Sequence, residues 1–294
     1  MQFLYCTFTN QSYILFLYLL YSMRINKSFL NIAELILNKY YNNSYRTRKH
    51  NEIYYFENIL KLLYSCPYWS RYNGTISGLY LNKKHNEYTK KGIYDEIFDT
   101  ILNIYHNTKK YETYRHILTD TCFIPNKYGY GLKRNACYKW KKGLKISVIT
   151  DAHGIPLSIT ANNANIHDSK IYLDTYANMK INTHADKYKH SNRHKQYFLA
   201  DIGYDSNKIK KLMSKDGYTC IIPQNIRNTK NKNKIRKINK HHKQIYKKRI
   251  TVENYFSWIK QYPKLTSVYE TTVTNFLSIV QIVSAYILFK RKCV

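Results

Sequence analysis

The sequence predicts an α/β fold, in which a mixed sheet is flanked by helices and preceded by an all-helical N-terminal region. Two observations lead to this prediction. Between residues 52 and 112, apolar residues recur at helical spacing, with breaks at Pro67 and Gly92. From about residue 113, strand-like runs alternate with helical ones, as in three-layer α/β domains.

The first region predicts three helices, over 55–63, near 79–90 and over 94–102. Tight turns separate them, so the region is compatible with a helix-turn-helix DNA-binding unit. Small helical bundles without a DNA role are also common, and the spacing alone does not separate the two. Residues 1–50 are predicted to be a helical extension and a polar linker.

The second region predicts five strands and a hairpin turn. The turn is the Asp-x-x-Gly segment 151–154. Asp168 and Ser169 are candidate caps for the next helix, and Ser206 is expected to cap a helix running through Met213. The strands are predicted at 116–120, 145–150, 156–161, 198–201 and 218–223.

The charge of the chain points to a polyanionic partner. The 294 residues include 48 Lys and Arg against 18 Asp and Glu, a formal net charge of +30. Nucleic acid is the commonest partner for such an excess. An AT-rich coding sequence would also inflate lysine, but it does not explain the run 227–249, which carries eleven Lys and Arg and no acid.

Cysteine spacing and hydropathy exclude other classes of protein. The six cysteines show no C-x-x-C pair, which argues against a zinc site and fits a reducing compartment. The apolar run 13–21 is too short to span a bilayer, so we expect no membrane partner.

The segment 246–260 is the most informative stretch. As a helix, it places Tyr246, Arg249, Glu253 and Lys260 on one edge and an apolar stripe beside them. A single Glu among basic residues is usually a solvated salt-bridge partner. Here, however, Asp120 and Asp201 each end a strand-like run. Two strand-end carboxylates and a helical one form the all-oxygen set that Mg²⁺ prefers.

Four blocks of the sequence resemble a known family. The blocks "ILTDTCFIPNK" and "FLADIGYDS" surround Asp120 and Asp201, and "KISVITDAHGIPLSITANNANIHDS" supplies a T-D-x-x-G-x-P turn and an H-D-S segment. The segment "RITVENYFSWIK" completes a Y-x2-R-x3-E-x6-K signature at every spacing. Together they resemble DDE transposases of the bacterial insertion-sequence type, which have an RNase H-like core. Ile202 departs from the family pattern, in which Lys or Arg is common.

The resemblance implies a domain organisation and a function. It assigns 51–112 to the helix-turn-helix DNA-binding domain and 113–294 to the RNase H-like catalytic domain, while residues 1–50, the helical extension and linker, have no counterpart in the family. The protein would cleave DNA at element ends and transfer the freed strand into target DNA. We expect a homodimer when bound to double-stranded DNA, acting inside the cell in the cytoplasm or nucleoid, or in the nucleus of a eukaryotic host.

The resemblance also assigns the site. The catalytic and metal-binding residues would be Asp120, Asp201 and Glu253. They would hold two Mg²⁺ ions, with Mn²⁺ as a substitute. The DNA-binding residues beside them would be Tyr246, Arg249 and Lys260.

Two alternatives remain at this point. In the first, the chain is a catalytically inactive or domesticated relative that binds DNA without cutting it. In the second, it is a basic nucleic-acid-binding protein whose acids are structural. Other acids have simpler interpretations than metal binding: Asp151 as a turn residue, Asp168 as a helix cap, and Asp205 beyond the strand end.

Overall fold

The computed structural model describes residues 25–41, 50–109, 111–126, 132–181, 183, 195–226, 238–266 and 268–293. The apolar run 13–21, the linker 42–49 and residues 227–237 of the basic run lie outside these ranges.

The N-terminal part of the described chain is helical. Each of the first two helices begins at an asparagine cap: Asn26 accepts from the N–H of Ser28, and Asn51 from the N–H of Tyr54. The predicted helices over 55–63, 79–90 and 94–102 are confirmed and are longer than expected. The bounds are α1, Lys27–Tyr40; α2, Glu52–Ser65; α3, Gly78–Lys90; and α4, Ile93–Asn107.

The turn between α3 and α4 depends on Gly92, whose φ of 72° lies in the left-handed region. The helix that follows it, α4, carries Asp95, Glu96 and Asp99 on one side, where they form ion pairs with lysines, and its apolar side packs against other helices. The DNA-binding role of 51–112 stays a prediction.

A mixed sheet begins at residue 116. Strand β1 pairs antiparallel with β3 and parallel with β5, while β3 pairs antiparallel with β4, and β5 parallel with β6. The short β2 pairs with the start of β3. The bounds are β1, His116–Pro125; β2, Arg134–Asn135; β3, Lys141–Thr150; β4, Pro156–Asn163; β5, Gln196–Leu199; and β6, Tyr218–Ile221.

Helices cover both faces of this sheet, which confirms the predicted fold class. One face packs against α5 and α6, and the other against α8 and α10. The ten-residue strands β1 and β3 are longer than predicted because they pair with each other along most of their length. The bounds of the remaining helices are α5, Asp168–Ala177; α6, Asn207–Lys215; α7, Lys240–Tyr246; α8, Ile250–Ile259; α9, Pro263–Thr266; and α10, Val273–Leu288.

Helix α10 joins the helical region to the sheet. It packs against α4, β4 and α8, and one apolar core runs from Phe29 and Phe56 through Ile279 to Val148 of the sheet. The segment Val273–Lys292 is the one described helix long and apolar enough to cross a membrane, but most of it is buried, as in a core helix. The division at residue 112 therefore marks a change of secondary structure inside a shared core.

A buried ion pair also ties the two regions together. The Lys264 ammonium lies 3.0 Å from the Glu270 carboxylate, and their side chains are 0% and 5% exposed. Lys264 also donates to the Pro67 carbonyl at 3.0 Å, and the Trp69 indole N–H donates to Glu270 at 2.9 Å. Burial lowers the pKa of Lys264, while Glu270 acts in the opposite direction.

We predict that Glu270→Ala lowers the free energy of unfolding by ~3–5 kcal/mol, because it leaves the Lys264 charge buried without its carboxylate. Urea denaturation measures the change. The matched control is Glu57→Ala, which breaks the exposed pair with Lys61 and is expected to cost ~0.5 kcal/mol or less. A loss for Glu270→Ala no larger than that of the control would contradict the prediction.

Candidate active site

Asp120 lies on β1, and Asp201 lies at the same level just beyond the end of the neighbouring parallel strand β5. The register of β1 and β5 pairs Leu118 with Leu199, and each aspartate follows two residues later. Because side chains alternate along an extended chain, both aspartates share the face of Leu118 and Leu199. Both leucines belong to the apolar core that includes Val252 of α8, so this is the face that α8 covers.

The prediction that Asp120 ends its strand is wrong. Strand β1 continues to Pro125, and Asp120 is paired in register with Val148 of β3. Asp201 does follow the end of its strand, since β5 ends at Leu199. Asp120 is therefore held on a strand that pairs with β3 at this level, whereas Asp201 directly precedes a short 3₁₀ turn, Ile202–Tyr204.

The segment predicted as one helix over 246–260 has a 3₁₀ turn, Lys247–Arg249, between α7 and α8. The apolar stripe is confirmed: Val252, Phe256 and Ile259 are buried against the sheet side of α8. This burial fixes the rotation of α8. Glu253, next to Val252, is left 53% exposed at the edge that faces Asp120 and Arg249.

One guanidinium connects two of the candidate acids. Arg249 Nη1 lies 2.8 Å from Asp120 Oδ2, and Arg249 Nη2 lies 3.3 Å from Glu253 Oε1. The other Asp120 oxygen accepts from the Thr121 N–H at 2.8 Å. Burial raises the pKa of Asp120, the Thr121 N–H and Arg249 act to lower it, and Asp201 raises it, so the net direction is upward.

The other two candidate residues border the same acids. The Tyr246 hydroxyl donates to the carbonyl of Ala200 at 3.3 Å, directly before Asp201. The Lys260 ammonium lies beside the thiol of Cys122, two residues beyond Asp120 on the same face of β1. Burial raises the pKa of that thiol, and Lys260 acts to lower it. The path from Ala200 to Cys122 is thus lined by Tyr246, Arg249 and Lys260.

The arrangement does not form a closed metal cage. Among the described residues, no three His, Cys, Asp or Glu side chains are placed to hold one metal ion. Arg249 lies between Asp120 and Glu253, so a cation shared by these carboxylates would replace its guanidinium. The donor chemistry still fits a hard divalent cation, because the acids supply oxygen ligands and the burial of Asp120 favours a positive partner.

Two other acids have structural partners. Asp151 is buried in the β3–β4 turn, where it accepts from the N–H groups of His153 and Ile155 and from the Tyr105 hydroxyl. Asp205 pairs with Lys210 and accepts from the Asn225 N–H.

The prediction that Asp168 or Ser169 caps α5 is wrong. His167 is the cap, and its Nδ1 accepts from the Ser169 N–H at 3.3 Å. Asp168 is the first residue of the helix and pairs with the nearly buried Lys145 at 2.8 Å. The ion pair holds the Asp168 carboxylate away from the capping position. By contrast, Ser206 caps α6 as predicted.

Sequence reasoning missed the role of Gly154. Its φ of 77° is left-handed, and a Cβ built there would lie 2.7 Å from the carbonyl oxygen of Thr251. The β3–β4 turn therefore approaches α8 two residues before Glu253, at a point with no space for a side chain. The glycine of the T-D-x-x-G-x-P turn was the sequence feature that could have indicated this close approach.

A comparison with protein families matches residues 100–288 to the transposase DDE domain. The chain belongs to this family. A search of curated proteins found no match. Membership in the transposase DDE family supports a transposase-type function with DNA as partner, and members generally use divalent metal ions. The mixed sheet between helices agrees with the RNase H-like core of a DDE transposase.

The raised pKa of Asp120 predicts how the stability of the folded protein depends on pH. The folded state binds this proton more tightly than the unfolded state, so the contribution of Asp120 to stability falls as pH rises from about 3.9 through the folded pKa. We expect Asp120→Asn to be at least as stable as the wild type at pH 7 and to weaken the pH dependence of Tm above pH 4.

Melting curves between pH 4 and 7 measure this. The exposed Asp174 of α5 provides the control, since Asp174→Asn should leave Tm within about 1 °C of the wild type. A Tm for Asp120→Asn several degrees below the wild type at pH 7 would show that its pair with Arg249 outweighs the cost of burial.

Proposed function

We propose that this transposase cleaves DNA at the ends of a mobile element and transfers the freed strand into target DNA. The observation that supports this best is the contact of Arg249 with both Asp120 and Glu253. These acids are far apart in the sequence, on a strand and on a helix. An arrangement that gathers acids and a guanidinium at a partly exposed edge suits phosphate chemistry.

Asp120, Asp201 and Glu253 are the proposed catalytic residues and metal ligands. Two Mg²⁺ ions, with Mn²⁺ as a substitute, would activate the attacking oxygen and stabilise the leaving oxygen. The Thr121 N–H holds one carboxylate oxygen of Asp120, and the other is the oxygen that Arg249 now contacts. Glu253, more exposed than Asp120, has the freedom to adjust toward a shared ligand.

The basic residues and the tyrosine would hold the DNA. Arg249 would exchange its two carboxylate partners for a backbone phosphate, which its planar fork binds bidentately. Lys260 reaches a neighbouring phosphate as a point charge, near Cys122. Tyr246 bonds phosphate or stacks on a base. In the first step, water frees a 3′-hydroxyl; in the second, that hydroxyl attacks target DNA at the same site.

The remaining assignments belong to the same proposal. Residues 51–112 would contact DNA, 113–294 would form the catalytic domain, and two copies would act together on double-stranded DNA inside the cell. The alternative is an inactive or domesticated relative that binds DNA only. Such a relative would retain the basic surface, and its acids would take no part in DNA cleavage.

Substitution of the acids separates these alternatives. We expect Asp201→Asn and Glu253→Ala to abolish cleavage of labelled DNA at all Mg²⁺ and Mn²⁺ concentrations, because each removes a charged oxygen ligand. DNA affinity should remain close to that of the wild type. Near-native cleavage by either variant would refute the ligand role, and a wild-type chain that binds but never cleaves would favour the alternative.

Lys260→Ala is the comparison within the same helical segment. It removes one phosphate contact of roughly 1.5–3 kcal/mol, and so about one to two decades of cleavage rate. Added metal should not restore the rate. Full rescue by Mg²⁺ would instead make Lys260 part of metal binding.

The basic run should set non-specific DNA affinity. Within its described part, Lys240, Lys243, Lys247 and Lys248 are exposed. Neutralising Lys243, Lys247 and Lys248 together should reduce the slope of log K against log salt by up to about 0.9 for each phosphate that no longer meets a lysine. Fluorescence anisotropy at several salt concentrations measures the slope.

The control is the double variant Lys27→Gln with Lys215→Gln, since both lysines lie outside the basic run. An unchanged slope in the triple variant would exclude a phosphate role for the run.

A further inference from the structure

The loop between β2 and β3 is the tip of a β-hairpin. Arg134 pairs with Lys142 and Asn135 with Lys141, so residues 136–140 form a five-residue connection. Asn135 anchors its base: the buried amide donates to the Ala164 carbonyl at 2.5 Å and accepts from the Cys137 N–H at 2.8 Å. We call 136–140 the β2–β3 loop.

Two consecutive residues of this loop have left-handed backbone conformations. Lys139 has a φ of 53° and Trp140 a φ of 55°, and they are the positive-φ residues other than glycine in the described chain. Large side chains rarely adopt this region, and such strain is concentrated at functional sites. Here the strained loop carries the exposed indole of Trp140.

Trp140 is 64% exposed, whereas Trp69 is 7% exposed and Trp258 is covered by the Arg291 guanidinium. The surroundings of Trp140 are basic. The segment 121–150 contains seven Lys and Arg and no acid. Its described members near the loop are exposed, and none of them forms an ion pair within the described chain: Lys133, Arg134, Lys139, Lys141 and Lys142.

The loop borders the candidate active site. Tyr138 stacks on Phe123 of β1, three residues after Asp120 and on the opposite face of the strand, with ring centroids 4.3 Å apart and planes 13° apart. Burial raises the pKa of Tyr138, and the nearby Asp168 and Asp120 raise it further. Lys260, beside Cys122, lies along the same half of β1. A DNA strand leaving the acids along this half of β1 would run toward the loop.

We propose that the β2–β3 loop is a second DNA contact, in which Trp140 stacks on an unpaired base of the DNA end while the surrounding lysines hold its backbone. This inference rests on the proposed function, because it takes the DNA held at Asp120 as its ligand. It assigns to Trp140 a positioning role, outside the six residues that carry the chemistry.

The chemistry of the loop favours an unpaired base over duplex DNA. An exposed indole offers a flat apolar face, which a base covers by stacking, and every base has such a face. Bases within a duplex are already stacked on both sides, so the available partners are terminal or unpaired bases. The flanking lysines add attraction to phosphate without sequence preference.

The test uses the full chain carrying Asp120→Asn, which keeps the DNA intact, and two probes: a blunt duplex, and the same duplex with a short unpaired 3′ tail containing 2-aminopurine. Acrylamide quenching reports on Trp140, the most exposed of the three tryptophans. Tailed DNA should reduce this quenching at least about twofold, while blunt DNA should change it less, and the 2-aminopurine emission should fall on binding.

Trp140→Ala should then weaken binding of the tailed DNA about 5- to 100-fold, with little effect on the blunt duplex and none on the salt slope. Trp140→Phe should restore part of the affinity, because a phenyl ring still stacks. Leu35→Ala, which removes a hydrophobic side chain that is 68% exposed on α1, is the matched control and should change neither affinity.

Equal losses on both probes, or Trp140 emission that stays equally quenchable with tailed DNA, would overturn the inference. The outcome is separate from that of the proposed function. Protection of Trp140 in a chain whose wild type never cleaves would leave the loop contact standing, and cleavage by a wild type whose Trp140 stays unprotected would leave the transposase assignment standing. A chain that binds neither probe would overturn both.

Discussion

The ion pair between Arg249 and Asp120 is the contact on which the candidate site depends. Asp120 is paired with Val148 of β3, so its backbone is fixed by the sheet. The guanidinium therefore has to be brought to it, and the segment that carries Arg249 also carries Glu253. Three acids placed on one face would repel one another, and a shared guanidinium reduces that cost.

The apolar core determines where that guanidinium lies. Val252 and Ile259 of α8 are fully buried against the sheet, and Gly154 lets the β3–β4 turn touch the start of the same helix. The core continues through α10 into the helical region, where the ion pair of Lys264 and Glu270 is hydrogen-bonded to Pro67 and Trp69. The site is thus positioned by packing that extends into a region the sequence suggested was a separate unit.

The two faces of the sheet serve different purposes. Asp120 and Asp201 share the α8 face, while Phe123 and Lys145 lie on the face of α5, where Asp168 is paired. The β2–β3 loop reaches this site from the start of β3, so its residues lie near Asp120 without belonging to the cluster of acids. Basic surface is therefore present on more than one side of the acids, as a long polyanion would require.

Periodicity and spacing were sufficient to predict the helices α2 to α4 and the mixed sheet, and the resemblance of four sequence blocks to a known family predicted the family. These features depend on local apolar spacing and on motif residues that can be read directly from the chain. The errors arose where a neighbour in space decided the result. The predicted end of β1 at Asp120 overlooked its pairing with β3, and the predicted cap at Asp168 overlooked Lys145, which is 23 residues away.

The sequence by itself determined which residues are available for chemistry: the acids, the Y-x2-R-x3-E-x6-K signature and the excess of basic charge. Only the tertiary structure decided that Arg249 lies between Asp120 and Glu253, that α10 unites the helical region with the sheet, and that Trp140 stands exposed on a strained loop. Residue identity and spacing are properties of the chain. Which charges meet, and which side chains are left uncovered, depends on contacts between segments that lie apart in the sequence, as Asp120 and Arg249 do.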